Sequence, residues 1–156
     1  MADTYTVERS ALVNAPPARV YGLVADFHEW VRWSPWEDLD PQQERSYSGA
    51  ESGVGAAYAW RGNRKAGQGR MAITGAKAPE RVEIALEFEK PFRSSNTTAF
   101  LLQPEGEATR VTWSMTGPKT PLLKLMGLVR SMDTMVGRDF EKGLARLKTT
   151  AEAPAT

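Results

Sequence analysis

From Glu44 to Thr116 apolar and polar side chains alternate with a period of two, and from Thr120 to about Lys148 apolar residues recur at steps of three and four. The first rhythm belongs to strands with one dry face, the second to a helix with one buried stripe. It is clearest in "RVEIALEFE", where Val82, Ile84, Leu86 and Phe88 face one way and Arg81, Glu83, Glu87 and Glu89 the other. Val111, Trp113 and Met115 repeat the rule against Arg110, Thr112 and Ser114. Turn signals such as "GAESGVG", "RGNRKAG", "GAKAPE", "KPFRSS" and "PEGE" divide this region into strands at 44–48, 56–61, 67–75, 80–89, 96–103 and 109–116.

Upstream, the β-branched run "YTVERSALV" (5–13) predicts a further strand. In "NAPPARVYGLVAD" the period changes: Asn14 and Ala15 stand at the cap, Pro16 at the first helical position, and Val20, Tyr21, Leu23 and Val24 on one apolar face. Asp26 and Glu29 have capping-box spacing, predicting a second short helix to about Trp33, ended where Pro35 restricts Ser34. The long helix carries Leu122, Leu125, Val129, Met132, Val136, Phe140, Leu144 and Leu147 on its stripe, and residues 151–156 are expected to be a disordered tail.

Strand, two short helices, six strands and one long helix is an α+β order. The packing it predicts is a seven-stranded antiparallel sheet wrapped around the C-terminal helix. A chain of 156 residues is one domain's length, assigned to residues 1–150. Composition then removes chemistry. With no cysteine and one histidine there is no thiolate, no disulfide and no His/Cys metal site, and no cofactor is expected. Twenty bases against nineteen acids give +1, too balanced for a nucleic-acid surface. The N-terminus has no apolar h-region, and the longest apolar stretch, "PLLKLMGLV", is far too short to span a bilayer. A cytoplasmic protein without a membrane span is expected; oligomeric state does not follow.

The stretches "NAPPARVYGLVADFHEWVRWSPW", "SGVGAAYAW", "RVTWSMTG" and "MDTMVGRDFEKGLARLK" resemble the helix-grip (SRPBCC) superfamily of START-type lipid-transfer domains, Bet v 1-type allergens and bacterial polyketide cyclases. The resemblance covers about residues 5 to 150 and is to the polyketide cyclase/dehydrase branch. It implies the helix-grip fold. Function has to come from the site, because the superfamily spans carriers, cyclases, hydratases, receptors and co-chaperones.

Candidate site residues follow from which side chains face the concavity. Trp30, Trp33 and Trp36 can staple a core or offer a stacking wall, and Trp33 can do both. Tyr58 and Trp60 share one strand face, with polar tips suited to orienting a ligand in an apolar pocket. Met71, Met115, Met126, Met132 and Met135 add adaptable surface, and Phe100 and Trp113 complete the expected wall of a cavity of roughly 300–1,000 Å³. Asp133 falls about 40° from Val129 on the helical wheel at 100° per residue, so the stripe holds a carboxylate, with Tyr58, Trp60 or Trp113 as expected partners. Gly137 and Gly143, at the stripe's edges, would let the sheet or a ligand come close. His28 is expected to be solvated.

Other patterns are bland. "GAESGVG" and "GQG" do not join a strand to a helix and so cradle no phosphate. Arg61, Arg64, Lys65 and Arg70 read as a solvated edge, and Glu83, Glu87 and Glu89 as an exposed face. Three functions stay open: a binder of a small apolar or aromatic ligand (lipid, quinone or polyketide-like), an aromatase/cyclase- or hydratase-like enzyme with only Asp133 and Tyr58 for proton transfer, and a co-chaperone-like interaction protein.

Overall fold

The computed structural model describes residues 4–36, 40, 42–63, 66–90, 94–119 and 129–153, with helix side chains described from Asp133 onward. Among the described residues there are seven strands: β1 (Thr4–Val13), β2 (Glu44–Gly49), β3 (Ala56–Arg61), β4 (Gln68–Lys77), β5 (Arg81–Lys90), β6 (Ser94–Glu105) and β7 (Ala108–Pro118). All neighbours pair antiparallel in the order β1-β7-β6-β5-β4-β3-β2, so β2 to β7 follow one another across the sheet in chain order and β1 pairs with β7. Between β1 and β2 lie helix α1 (Pro17–Val24) and a 3₁₀ helix (Phe27–Arg32); helix α2 (Val129–Glu152) follows the sheet.

Three boundaries differ from expectation. Pro16 is the cap of α1 and Pro17 its first residue, one position later than the sequence suggests, because either proline suits a position whose N–H has no helical partner. The second short helix is wound as a tighter 3₁₀ turn, with the Asp26 carboxylate accepting from His28 N–H at 2.9 Å. Helix α2 runs to Glu152: Ala151 is buried, and the Glu152 carboxylate accepts from the Asn14 backbone N–H at 2.8 Å, so the expected tail begins at least two residues too early. The expected helix start at Thr120 lies outside the described residues.

The period-two pattern sets the sheet's faces. Val82, Ile84 and Leu86 are buried while Arg81 is exposed, and Val111, Trp113 and Met115 are buried in the same way. Outward acids are paired or hydrogen-bonded: Glu87 with Arg70, Glu83 with Arg81, and Glu89 with the Gln68 side chain. The dry face is covered by Val20, Leu23 and Val24 of α1, by Phe27, Trp30 and Trp33, and by Phe140, Leu144 and Leu147 of α2.

Candidate ligand-binding face

Strand register arranges the dry face into rungs that cross the sheet. Arg9, Trp113, Phe100 and Val82 form one rung; Val7, Met115, Thr98, Ile84 and Ile73 form the next. Beyond it, Tyr58, Met71, Leu86 and Asn96 are successive partners, and the Gly117–Tyr5 pair continues that rung. Past it, Trp60, Gly69 and Phe88 are aligned. Solvent contact grows along this series. Trp113, Phe100 and Val82 are 0 % exposed, whereas Leu86, Tyr58, Met71, Tyr5 and Asn96 keep 4–8 %, and Trp60 and Phe88 are only half-buried.

The closed end is a mass of rings. The Trp113 indole lies between Phe140 (centroids 4.1 Å, interplanar 11°) and Phe100 (4.9 Å, 25°), with Trp30, Trp33 and Trp36 edge-on to it. Trp30 and Trp33 donate to the carbonyls of Val24 and Leu23 at 3.0 and 2.8 Å. These bonds tie the 3₁₀ helix to α1, so both indoles are staples with their polar atoms satisfied. Trp36 donates to Asp139 Oδ2 at 3.2 Å. A Cβ at residue 143 would meet the Trp113 ring and Pro35, so Gly143 is what lets α2 approach this closely. Among the described residues Trp113 Nε1 is buried without a partner, an arrangement that costs about 1–3 kcal/mol.

The other end is built differently. Tyr58 and Trp60 stack at 6.0 Å and 19°, and Phe88 meets Trp60 edge-on at 5.7 Å. Trp60 lies over Gly69, where a side chain would strike its ring, and donates to the Ala66 carbonyl at 2.9 Å. Tyr58 Oη accepts from Gln43 Nε2 at 3.4 Å. At the far side Tyr5 Oη donates to Asn96 Oδ1 at 2.7 Å, a buried bond that Gly117 makes possible, since a Cβ there would collide with both atoms. Burial pushes the Tyr5 phenol above its ordinary pKa, because phenolate would lose its hydration.

Of the candidate residues, Tyr58, Trp60 and Met71 come together at this less crowded end, Met115 faces the same side from its rung with Val7 and Thr98, and Trp33, Phe100 and Trp113 sit in the aromatic mass with no exposed area. Met126 and the Met132 side chain lie outside the described residues. Asp133 is elsewhere. Its side chain is 54 % exposed and pairs with Arg9 of β1, Oδ2 to Nη2 3.2 Å, with Glu141 on the other side of the guanidinium at 3.7 Å. The hydrogen bond that Arg9 donates to the Asp133 carboxylate, with that group's charge, holds Arg9 above its ordinary pKa. The expected partners Tyr58, Trp60 and Trp113 make no hydrogen bond to it among the described residues. The helical wheel puts Asp133 inside the apolar stripe, and the structure corrects this: α2 packs along the edge strand β1, so this side of the helix overhangs the sheet margin and the carboxylate faces solvent and Arg9. Gly137 provides the space, since a Cβ there would enter the Arg9 guanidinium.

Sequence reasoning missed Asn96, Thr98 and Tyr5. Their signal was present: Asn96 and Thr98 share parity with Phe100 and Leu102 on β6, and Tyr5 with Val7 on β1. His28 is half exposed, as expected, yet its ring stacks on Tyr47 at 4.2 Å and its Nδ1 lies 2.8 Å from Asp26 Oδ1. Outside the sheet's concavity, an open groove of about 510 Å³ runs between the 3₁₀ helix and α2, lined by Val31, Arg32, Lys142, Ala145, Arg146, Thr149 and Thr150. Among the described residues no group of three or more His, Asp or Glu is placed to hold a metal, and no helix is long and apolar enough to cross a membrane.

The family model described as polyketide cyclase / dehydrase and lipid transport matches residues 4–152. No curated protein matches the chain. Among solved structures, an NMR structure of a Thermobifida fusca protein is 20% identical with a TM-score of 0.71, covering 94% of this chain and 92% of that one. Ara h 8.0201 is 13% identical with a TM-score of 0.67, covering 96% and 98% of the two chains. The protein titled Aha1 dimer, from Colwellia psychrerythraea, is 16% identical with a TM-score of 0.66, covering 94% and 96%. With the sheet order and the helix against its dry face, the match across residues 4–152 means that the chain belongs to the polyketide cyclase/dehydrase and lipid-transport family, on the Bet v 1-like helix-grip fold.

Proposed function

We propose that the protein binds a small apolar or aromatic molecule against the sheet's dry face, between Tyr58, Trp60, Met71, Phe88 and Met115. The observation that carries this reading is the gradient along the rungs. The same face changes from fully buried rings at Trp113 and Phe100 to aromatic and methionine surface that is still reachable at Tyr58, Met71 and Trp60. A protein that needed only a core would gain by closing that end as it closes the other, since each buried side chain stabilises by about 1.5–3 kcal/mol. Methionine and stacked aromatics suit a flat ligand of variable outline.

The family's cyclase and dehydrase members keep the enzymatic alternative in view, but here it loses its acid. Asp133 is on the solvent side of the helix–sheet seam, which leaves Tyr58 as the only one of the two expected proton-transfer groups facing the concavity. The interaction-protein alternative needs a contiguous apolar patch. Among the described residues the large exposed apolar side chains, Leu12, Val31, Tyr47, Val54, Leu101 and Met135, come from six different segments.

Native mass spectrometry of the freshly purified chain tests the reading, together with titration of the tryptophan fluorescence by a naphthalene-sized apolar probe. A retained apolar adduct, or saturable quenching abolished by Met71→Trp, is expected. A clean apo mass with no saturable probe binding sinks it.

A further inference from the structure

Asn96 is 8 % exposed and has no charged neighbour in its rung, so each polar atom it carries needs a reason. Its Oδ1 is accounted for: Tyr5 Oη–H donates to it at 2.7 Å. In that bond the carbonyl end of the amide faces Tyr5, which leaves the NH₂ end on the opposite side. The two N–H donors on Nδ2 are therefore turned elsewhere, and they have no partner among the described residues. Two residues along β6, on the same face, Thr98 is 3 % exposed, and its hydroxyl also makes no hydrogen bond to the described residues. Asn96 pairs with Leu86, whose other partner is Met71, and Thr98 pairs with Met115, so the two groups flank part of the apolar surface assigned above to a ligand.

Resting on that reading, we infer that the ligand carries a carbonyl-type oxygen, which accepts from Asn96 Nδ2 with the Thr98 hydroxyl as a second contact, while its apolar body lies on Met71, Tyr58 and Trp60. Tyr5 is a positioning residue: by holding the carbonyl end of the amide it leaves the NH₂ end for the ligand. A purely hydrocarbon ligand would leave these donors unpaired, so the site discriminates by what it leaves unsatisfied as well as by what it binds. Ketones, quinones and esters fit; alkanes and unfunctionalised polycyclic hydrocarbons do not.

The test uses two probes of matched shape, 2-acetylnaphthalene and 2-isopropylnaphthalene, titrated calorimetrically into the whole chain. Because the hydrocarbon partitions better from water, the informative quantity is the acetyl/isopropyl affinity ratio in a variant relative to wild type. Asn96→Leu is expected to lower that ratio about 3- to 10-fold, the worth of one net hydrogen bond. Thr98→Val, which keeps the side chain's shape, is expected to lower it by about 2- to 5-fold, and serves alone where Asn96→Leu does not fold. Tight binding of both probes with a ratio unchanged in the folded variants overturns the inference and leaves the apolar-binding reading standing. Binding of neither probe to wild type overturns both.

Discussion

The two ends of one sheet face are made of similar residues and are packed differently. At the Trp113–Phe100 end, rings from β6, β7 and α2 are packed until Trp113, Phe100 and Phe140 have no exposed area; at the Tyr58–Trp60 end, rings of the same kind stack along the sheet and stay reachable. The difference lies in what stands opposite. Phe140 of α2 lies flat on Trp113, held close by the glycine at 143, and Trp30 and Trp33 are carried in by backbone-anchored indoles. Aromatic content alone therefore does not separate core from binding surface. The opposing layer does.

The largest expected effect is at the closed end. Trp33→Ala removes a fully buried indole and its bond to the Leu23 carbonyl, and is expected to cost about 3–5 kcal/mol in a denaturant titration. Met71→Ala, on a rung that already has reachable surface, should cost about 2 kcal/mol or less. Equal losses at the two positions would erase the distinction between the ends.

Enlargement sharpens the comparison from the other side. Leu102→Phe adds volume where β6 is 1 % exposed and should destabilise by about 1–3 kcal/mol. Met71→Phe should cost less than about 1 kcal/mol and weaken binding of a naphthalene-sized probe, because the added ring takes the ligand's space. If Met71→Phe unfolds the protein as readily as Leu102→Phe, that end is as tightly filled as the other.

A third prediction concerns the polar margin of the reachable end. Burial raises the Tyr5 pKa, so the folded state favours the neutral phenol. Its contribution is complete below the unfolded phenol's value of about 10 and is lost as pH rises from there through the higher folded value. Tyr5→Phe should cost about 1 kcal/mol at neutral pH, from the orphaned Asn96 Oδ1, and should flatten the loss of stability above about pH 10. Unfolding curves with the same alkaline slope in both proteins would mean that the phenol is not buried as described.

Much of the architecture was legible because period two and period 3.6 each persist over long stretches. Val82, Ile84, Leu86, Trp113 and Met115 face inward because the alternation admits one dry face. The parity argument was equally available for Asn96 and Thr98, but those residues read as ordinary strand polars until register put Asn96 beside Gly117 and Tyr5, far away in sequence. Likewise nothing local distinguishes Trp33 from Trp60. One faces α1 and Trp113 while the other lies over a glycine near the sheet's far edge, and only the tertiary arrangement assigns them to core and to candidate wall.

Asp133 gives the smallest expected effect and the plainest lesson of this kind. Inside the stripe, as the helical wheel has it, it would be a buried acid, whose removal costs several kcal/mol or abolishes a reaction. It is instead half exposed and bonded to Arg9, which also has Glu141 within 3.7 Å. Water screens such a pair, and Arg9 keeps one acidic neighbour when the other is neutralised. Asp133→Asn should therefore cost less than about 1 kcal/mol, with most of that disappearing in 1 M salt, and leave probe binding at the Tyr58–Trp60 end unchanged. Asp133→Leu should behave nearly the same, which a buried acid would not allow. A loss above about 3 kcal/mol in the Asn variant, or a probe affinity that follows the carboxylate's charge, would return Asp133 to the concavity and with it the acid that the enzymatic alternative lacks.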